Sequence, residues 1–213
     1  VYMFEIEYKG GNGVLLSTKK ATIVADPNLS VIGLKNLPVK EAIEVATEPR
    51  FAVNSDDAKL VIEGPGEYGI ADFDIRGVAA QRHLDTDADP KLSTMYRIEA
   101  GDIRVALIGN IYEKVRETQL EDLGIVDVVI IPVGGGGYTL DPTGAATIVR
   151  QIDPKVVIPV HYNDSALKYE VPQAEFDEFI KELGAPVEEL PKAKFKSASA
   201  LPAALTIYKL ERL

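Results

Sequence analysis

The sequence predicts a layered α/β (α+β) sandwich, with sheets in the middle and helices outside. Two observations carry this. Short strand-like runs bounded by Gly, Pro, Asp or Asn recur along the whole chain, as strands should. From about residue 116 onward they alternate with amphipathic helical patterns, while the first half reads as meandering antiparallel sheet.

Taken in order, the strand-like runs are Met3–Tyr8, Val14–Ser17, Ala21–Ala25, Leu60–Ile62, Phe73–Val78, Thr94–Ile98, Ile103–Ile108, Val126–Ile131, Val156–Val160 and Leu205–Leu210. KGGNG, residues 9–13, reads as a tight turn between the first two, with Asn-Gly tolerating positive φ. EAGD, residues 99–102, plays the same part later. Arg116–Leu123 predicts a short helix with Leu120 and Leu123 inward. GIVDVVII, residues 124–131, is near-continuously apolar, as expected of a strand covered on both faces. Asp141 and Pro142 mark a helix start, as N-cap and first helical residue; Ala145, Ile148, Val149 and Ile152 then share a face. Ala174–Leu183 predicts another helix, with Phe176, Phe179, Ile180 and Leu183 at helical spacing and Gly184 as its stop.

Composition narrows the function. The 213 residues are expected to form one domain, residues 1–213, and no apolar run reaches the ~18–20 residues of a membrane span. The opening VYMFEIEY alternates, so it reads as a strand rather than a signal peptide, and the expected location is cytoplasmic. Without cysteine there are no disulfides and no Cys-ligated zinc. A net charge of −10 with scattered basic residues argues against nucleic acid as a partner. The densest basic group, PKAKFK at residues 191–196, reads as a solvated connection.

Four loops are candidates for chemistry. EGPGEYG, residues 63–69, is either a hairpin corner built on Pro65-Gly66 or a tight loop lining a pocket with Glu67 and Tyr68. RHLDTDAD, residues 82–89, fails as a calcium loop because the sixth position from Asp85 is Pro90; it reads as a solvated loop, or as His83 beside metal-binding carboxylates. IGNIYEK, residues 108–114, ends a strand at Gly109-Asn110. PVGGGGYTLDPTGAA, residues 132–146, sets four glycines between a buried strand and a capped helix. It lacks the Lys and Ser/Thr of a P-loop and the spread glycines of a dinucleotide fingerprint. A costly glycine run implies close backbone approach to something, another loop included. Finally, VVIPVHYND, residues 156–164, runs a buried strand straight into His161. At a strand end this ring is either a satisfied structural histidine or a site residue.

VIEGPGEYGI, DIRGVAAQRH, the strand ending in Gly109-Asn110, IIPVGGGGYTLD and VVIPVHY resemble, in that order, a branch of predicted zinc-dependent hydrolases in the metallo-β-lactamase superfamily. The resemblance runs from about Met3 to about Tyr162. It implies a four-layer αββα sandwich with a site on one edge, holding one or two metals, usually zinc. The ligands come from an H-x-H-x-D-H motif, a later His, a bridging Asp and a last His. Residue by residue, His83 matches the later His, Asn110 stands at the bridging Asp, and His161 matches the last His. The four-ligand motif falls after AIEVAT, residues 42–47, where this chain reads TEPRFAVN. Glu48 and Arg50 hold the positions of its first two histidines.

The whole chain contains two His, whereas zinc wants three or four firm ligands. A fixed Arg charge disfavours a cation, and a neutral Asn is a poor bridge between two. The expectation is a degenerate member without an intact dinuclear site, serving as a binding or scaffold module for a small anionic ligand or a protein partner, with no metal cofactor. His83, Asn110, His161, Glu67, Tyr68, Gly135, Gly136 and Tyr138 would line the remnant pocket. The alternative is a hydrolase with a reduced single-zinc site, held by His83, His161 and a carboxylate from Asp85 or Glu48. A non-hydrolytic enzyme using His161 as general base is a third reading.

Overall fold

A computed structural model describes residues 4–84 and 91–213; Met3 and the Asp85–Pro90 stretch lie outside the described residues. The strands are β1 (Phe4–Gly10), β2 (Gly13–Ser17), β3 (Thr22–Ala25), β4 (Ile43–Val45), β5 (Leu60–Ile62), β6 (Gly66–Ile70), β7 (Phe73–Gln81), β8 (Leu92–Ala100) and β9 (Ile103–Leu107). After helix α1 (Glu117–Leu123) come β10 (Val128–Pro132), α2 (Pro142–Ile152), β11 (Val156–Val160), α3 (Phe176–Leu183), β12 (Val187–Leu190), β13 (Ala193–Phe195) and β14 (Thr206–Leu210).

Among the described residues the strands form a six-stranded sheet, β13-β1-β2-β3-β4-β5, and an eight-stranded sheet, β12-β14-β11-β10-β9-β8-β7-β6. The alternation in β1 sends Phe4, Ile6 and Tyr8 inward, where they meet Tyr96, Ile98, Val105, Ile130 and Ile158 of the other sheet. This apolar layer between the sheets is the main core. The outer face of the eight-stranded sheet packs on the helices, with Ile148, Val149 and Phe179 against Val129, Ile131 and Val157. Strands β10 and β11 are buried at every position, as strands covered on both faces are. The layer over the first sheet is thin: Val24 packs against Val39 and Ala42, and turns such as Leu29–Ile32 cover its edge. The sandwich of two sheets expected from the sequence is the observed architecture.

Helix starts and stops follow the sequence signals. Asp141 caps α2 by accepting from Gly144 N at 2.7 Å, and Gly184 closes α3 with φ +71°. Other readings need correction. In the first turn the positive φ values are at Gly10 and Gly11, with a register shift at Tyr8/Gly10, which leaves the Asn12 side chain to turn inward. Pro65-Gly66 is not a hairpin corner: β5 belongs to one sheet and β6 to the other, so this segment crosses between them. PKAKFK is not a solvated connection; its centre is β13, paired with β1, and Lys192 reaches Glu5 at 2.7 Å. In α1 the buried residues are Gln119 and Leu123, because the Gln119 amide donates to Ala79 O at 2.8 Å. No described helix is long and apolar enough to cross a membrane.

Candidate functional site at the strand ends

Strands β9, β10 and β11 run parallel, so the segments leaving their C-terminal ends, Asn110, the glycine loop and His161, emerge on one edge. In the other sheet β3 and β4 are parallel and deliver Asp26 and the Thr47–Arg50 turn. Sites in sheet proteins gather at such ends because the loops there converge on a rigid frame.

His161 is 3% exposed and adopts φ +54°. Its ring lies between Tyr138, stacked at 5.6 Å, and Tyr169 at 4.7 Å. Nδ1 is 2.8 Å from Gln173 Oε1. The Gln173 amide nitrogen donates to Val171 O at 3.1 Å, which leaves Oε1 as the acceptor and fixes the proton on Nδ1. Nε2 therefore carries the lone pair. Burial pushes the imidazole pKa down to about 4, with the Arg50 charge adding to the fall, so the ring is neutral at pH 7. His83 is half-buried and its Nδ1 lies 3.1 Å from Ile111 O. A carbonyl only accepts, so His83 also holds its proton on Nδ1.

Glu48 is 2% exposed, and Arg50 Nε reaches its Oε2 at 2.7 Å. Arg82 Nη1 stands 4.0 Å from the same oxygen. The Arg50 guanidinium lies 4.6 Å from the Phe51 ring centre and 4.9 Å from that of Tyr138, a cation held on aromatic faces. Thus Arg50 touches Tyr138, which stacks on His161. Asp26 sits behind this turn. Its two oxygens accept from Thr47 N and Thr47 Oγ1, both at 2.7 Å. Burial nevertheless raises its pKa to about 7, against the pull of those bonds.

Asn110 is fully buried. Its Oδ1 accepts from Thr139 Oγ1 at 2.7 Å and Asn12 Nδ2 at 2.9 Å, and its backbone carbonyl accepts from His83 N at 2.9 Å. Asn110 thereby stands between His83 and the Thr139 side of the glycine loop. The glycine run is explained by another loop: a Cβ on Gly134 would collide with the His161 carbonyl and Gln173 Oε1, and one on Gly136 with Pro172 O.

A narrow cleft is lined by Asn12, Asp26, Phe51, Tyr138, His161 and Gln173 among others. Of the residues expected in the pocket, His161 and Tyr138 line it. Asn110 lies behind Asn12, His83 stands beyond Asn110, and Gly135 and Gly136 face an outer groove. Glu67 and Tyr68 sit on edge strand β6 along a different groove, with Glu67 paired to Arg76 at 2.8 Å. Asp85 lies outside the described residues. Sequence reasoning missed Asp26, Asn12, Gln173 and Tyr169. Only Asp26 had a signal, an Asp-Pro ending an apolar strand. Among the described residues no group of three or more His, Cys, Asp or Glu could hold a metal ion.

A family model described as a beta-lactamase superfamily domain matches residues 5–161. A UPF0173 protein of Pyrococcus furiosus is 39% identical over 88 residues, 41% of this chain and 37% of the relative. A UPF0173 metal-dependent hydrolase of Thermococcus onnurineus is 27% identical over 139 residues, covering 59% and 62%. The chain thus spans less than two thirds of either relative's length in these matches. Among solved structures, one described as a candidate zinc-dependent hydrolase of the metallo-β-lactamase superfamily from Thermotoga maritima superposes with a TM-score of 0.75 at 23% identity, covering 98% of this chain and 100% of that one.

Proposed function

The chain belongs to the beta-lactamase superfamily, and from that premise we propose that it is a metal-independent binding module of this fold. One observation carries the reading: Arg50 and Glu48, at the positions where the resemblance implies the first two metal-binding histidines, are bound to each other at 2.7 Å. The guanidinium there is a tethered cation, held by a carboxylate and two aromatic faces, and a metal ion beside it would meet like charge. Asn110 supports the same reading. It is neutral, and its oxygen already accepts two hydrogen bonds, so it offers poor bridging capacity. The residues present do not fit a two-metal centre. What they suit is binding: a narrow, largely apolar cleft with a few fixed polar groups is the usual form of a small-ligand site.

A second reading, a hydrolase with one metal, is favoured by a specific observation. Both histidines hold Nδ1–H on an acceptor and so carry the lone pair on Nε2, the arrangement typical of ligating histidines. The names of the Thermococcus onnurineus relative and the Thermotoga maritima structure agree with it. Its ligands would be His83, His161 and one carboxylate, Glu48 or Asp85, and a bound metal would supply an acidified water.

Turnover assays on a panel of lactams, phosphodiesters and thioesters, with zinc or manganese added, test the choice. The binding-module reading expects background rates in the wild type and in His161→Ala. Metal-stimulated turnover that disappears in His161→Ala would overturn it in favour of the single-metal hydrolase.

A further inference from the structure

The cleft and its inner wall carry an unusual polar pair. Asn12, 6% exposed, lines the cleft, and fully buried Asn110 lies behind it. They share one hydrogen bond, Asn12 Nδ2 to Asn110 Oδ1 at 2.9 Å. Asn12 Oδ1 and Asn110 Nδ2 are then left buried with no hydrogen-bond partner among the described residues. The assignment of the amide atoms does not remove the problem. Reversing both side chains keeps their mutual bond and the bond to Thr139, and still leaves one buried donor and one buried acceptor. Reversing only one sets like atoms face to face. Each orphan destabilises the fold unless something satisfies it, because a buried polar group has given up its water and must find a replacement partner.

We infer that this pair is a built site for one uncharged group that both donates and accepts a hydrogen bond, a hydroxyl or a carboxamide, and that the cleft selects neutral ligands over ions. The inference rests on the binding-module reading and replaces the anionic ligand expected from the sequence. The rest of the lining agrees. Among the described residues, no Lys or Arg lines the cleft. His161 is neutral, with its proton on Nδ1 facing Gln173. Each Asp26 oxygen accepts one bond from Thr47 and burial raises its pKa to about 7, so the carboxyl is partly protonated near neutrality; the phenols of Tyr138 and Tyr169 stay protonated because burial raises their pKa values. Of the titratable groups lining the cleft, Glu170 alone is exposed, at the mouth. Narrowness adds a size limit: a group of a few atoms reaches Asn12, whereas a bulky one does not. Water carries the same donor and acceptor chemistry, so the test must separate a ligand from a fixed water.

The experiment titrates the full chain with acetamide, acetate and methylammonium while following the side-chain amide signals of Asn12 and Asn110 by NMR. Acetamide should shift both signals with at least about tenfold higher apparent affinity than either ion, since a charged probe leaves one partner unsatisfied. Asn12→Ala should abolish the response. Asn12→Asp, nearly isosteric and so the safer variant for folding, should exchange the preference for acetamide for one for methylammonium. Acetate binding as well as acetamide would overturn the neutral-ligand inference and leave the binding module standing. No response to any probe would overturn both. A crystal soaked in acetamide that keeps a water bridging the two amides would also overturn the inference.

Discussion

Arg50 Nε lies 2.7 Å from Glu48 Oε2, and the same guanidinium rests 4.9 Å from the centre of the Tyr138 ring. The two charged residues stand two apart on a short turn after β4, with Pro49 between them. That turn is pinned from below by Asp26 through Thr47, and from the side by Thr94 N and Ser93 Oγ, which donate to Thr47 O. The pair is therefore fixed by the fold rather than free on the surface.

If the pair is a unit, its members should be energetically coupled. Glu48 is buried and Arg50 about one-third exposed, so solvent screening and the nearby Arg82 reduce the cost of removing Arg50. Arg50→Ala should lose about 1–2 kcal/mol in urea unfolding, less than the loss expected for a fully buried pair. In a double-mutant cycle, Glu48→Ala with Arg50→Ala should be non-additive by more than ~0.5 kcal/mol. Additive losses would mean that the contact has no energetic content.

Two buried groups give opposing pH dependences. His161 has a folded pKa of about 4 against 6.5, so the folded state binds fewer protons and stability is lost as pH falls from 6.5 toward 4. Asp26 has a folded pKa of about 7 against 3.8. There the folded state binds more protons, and stability is lost as pH rises from about 4 through 7. Each effect is on the order of 3 kcal/mol, and between pH 4 and 6.5 they largely offset. Wild-type melting temperature should therefore be flat across that window. Asp26→Asn should expose a fall toward low pH, and His161→Gln a fall toward high pH. Parallel pH profiles for the two variants would contradict the assignment.

The Gln173 amide sets the His161 tautomer. Nitrogen-15 spectra of the ring should show the proton on Nδ1 in the wild type. Gln173→Glu places a carboxylate on that proton and should raise the imidazole pKa above its wild-type value of about 4. An Nε2–H ring in the wild type would show that the contact does not control the proton.

Gly134 is a position where the backbone itself is the constraint. Gly134→Ala would drive a Cβ into the His161 carbonyl and the Gln173 amide. A loss of about 1–3 kcal/mol is expected for such overpacking, with the pH dependence assigned to His161 altered as well. Gly137→Ala is the control for a residue in the same run: nothing lies within 4 Å of its Cβ, so its cost is confined to backbone strain at φ +75°. Equal effects on the His161 titration would argue against the close approach.

Much of the fold was legible because the sandwich writes itself into period and punctuation. The apolar runs that became β10 and β11, and the Asp141-Pro142 start of α2, are local signals. Two edge strands, β12 and β13, were not legible. Both are short and half-polar, and exist because β14 and β1 offer them partners. The site was legible where a strand end, or the loop after it, carried a chemically distinctive residue, as at His161, Asn110 and Tyr138. Gln173 and Tyr169 belong to an irregular segment whose sequence carries no period, and only the folded chain brings them onto His161. Asn12 was read as a turn residue, because local sequence could not show that Gly10 and Gly11 would take the positive φ angles instead.

Metal stoichiometry tests the central claim most directly. The chain should be purified, incubated with excess zinc, exchanged into metal-free buffer and assayed by elemental analysis. If the Glu48–Arg50 pair has replaced the metal site, bound zinc should stay below ~0.1 equivalents, because a catalytic site needs three firm ligands. One or more equivalents retained by the wild type, and lost in His161→Ala, would contradict the account.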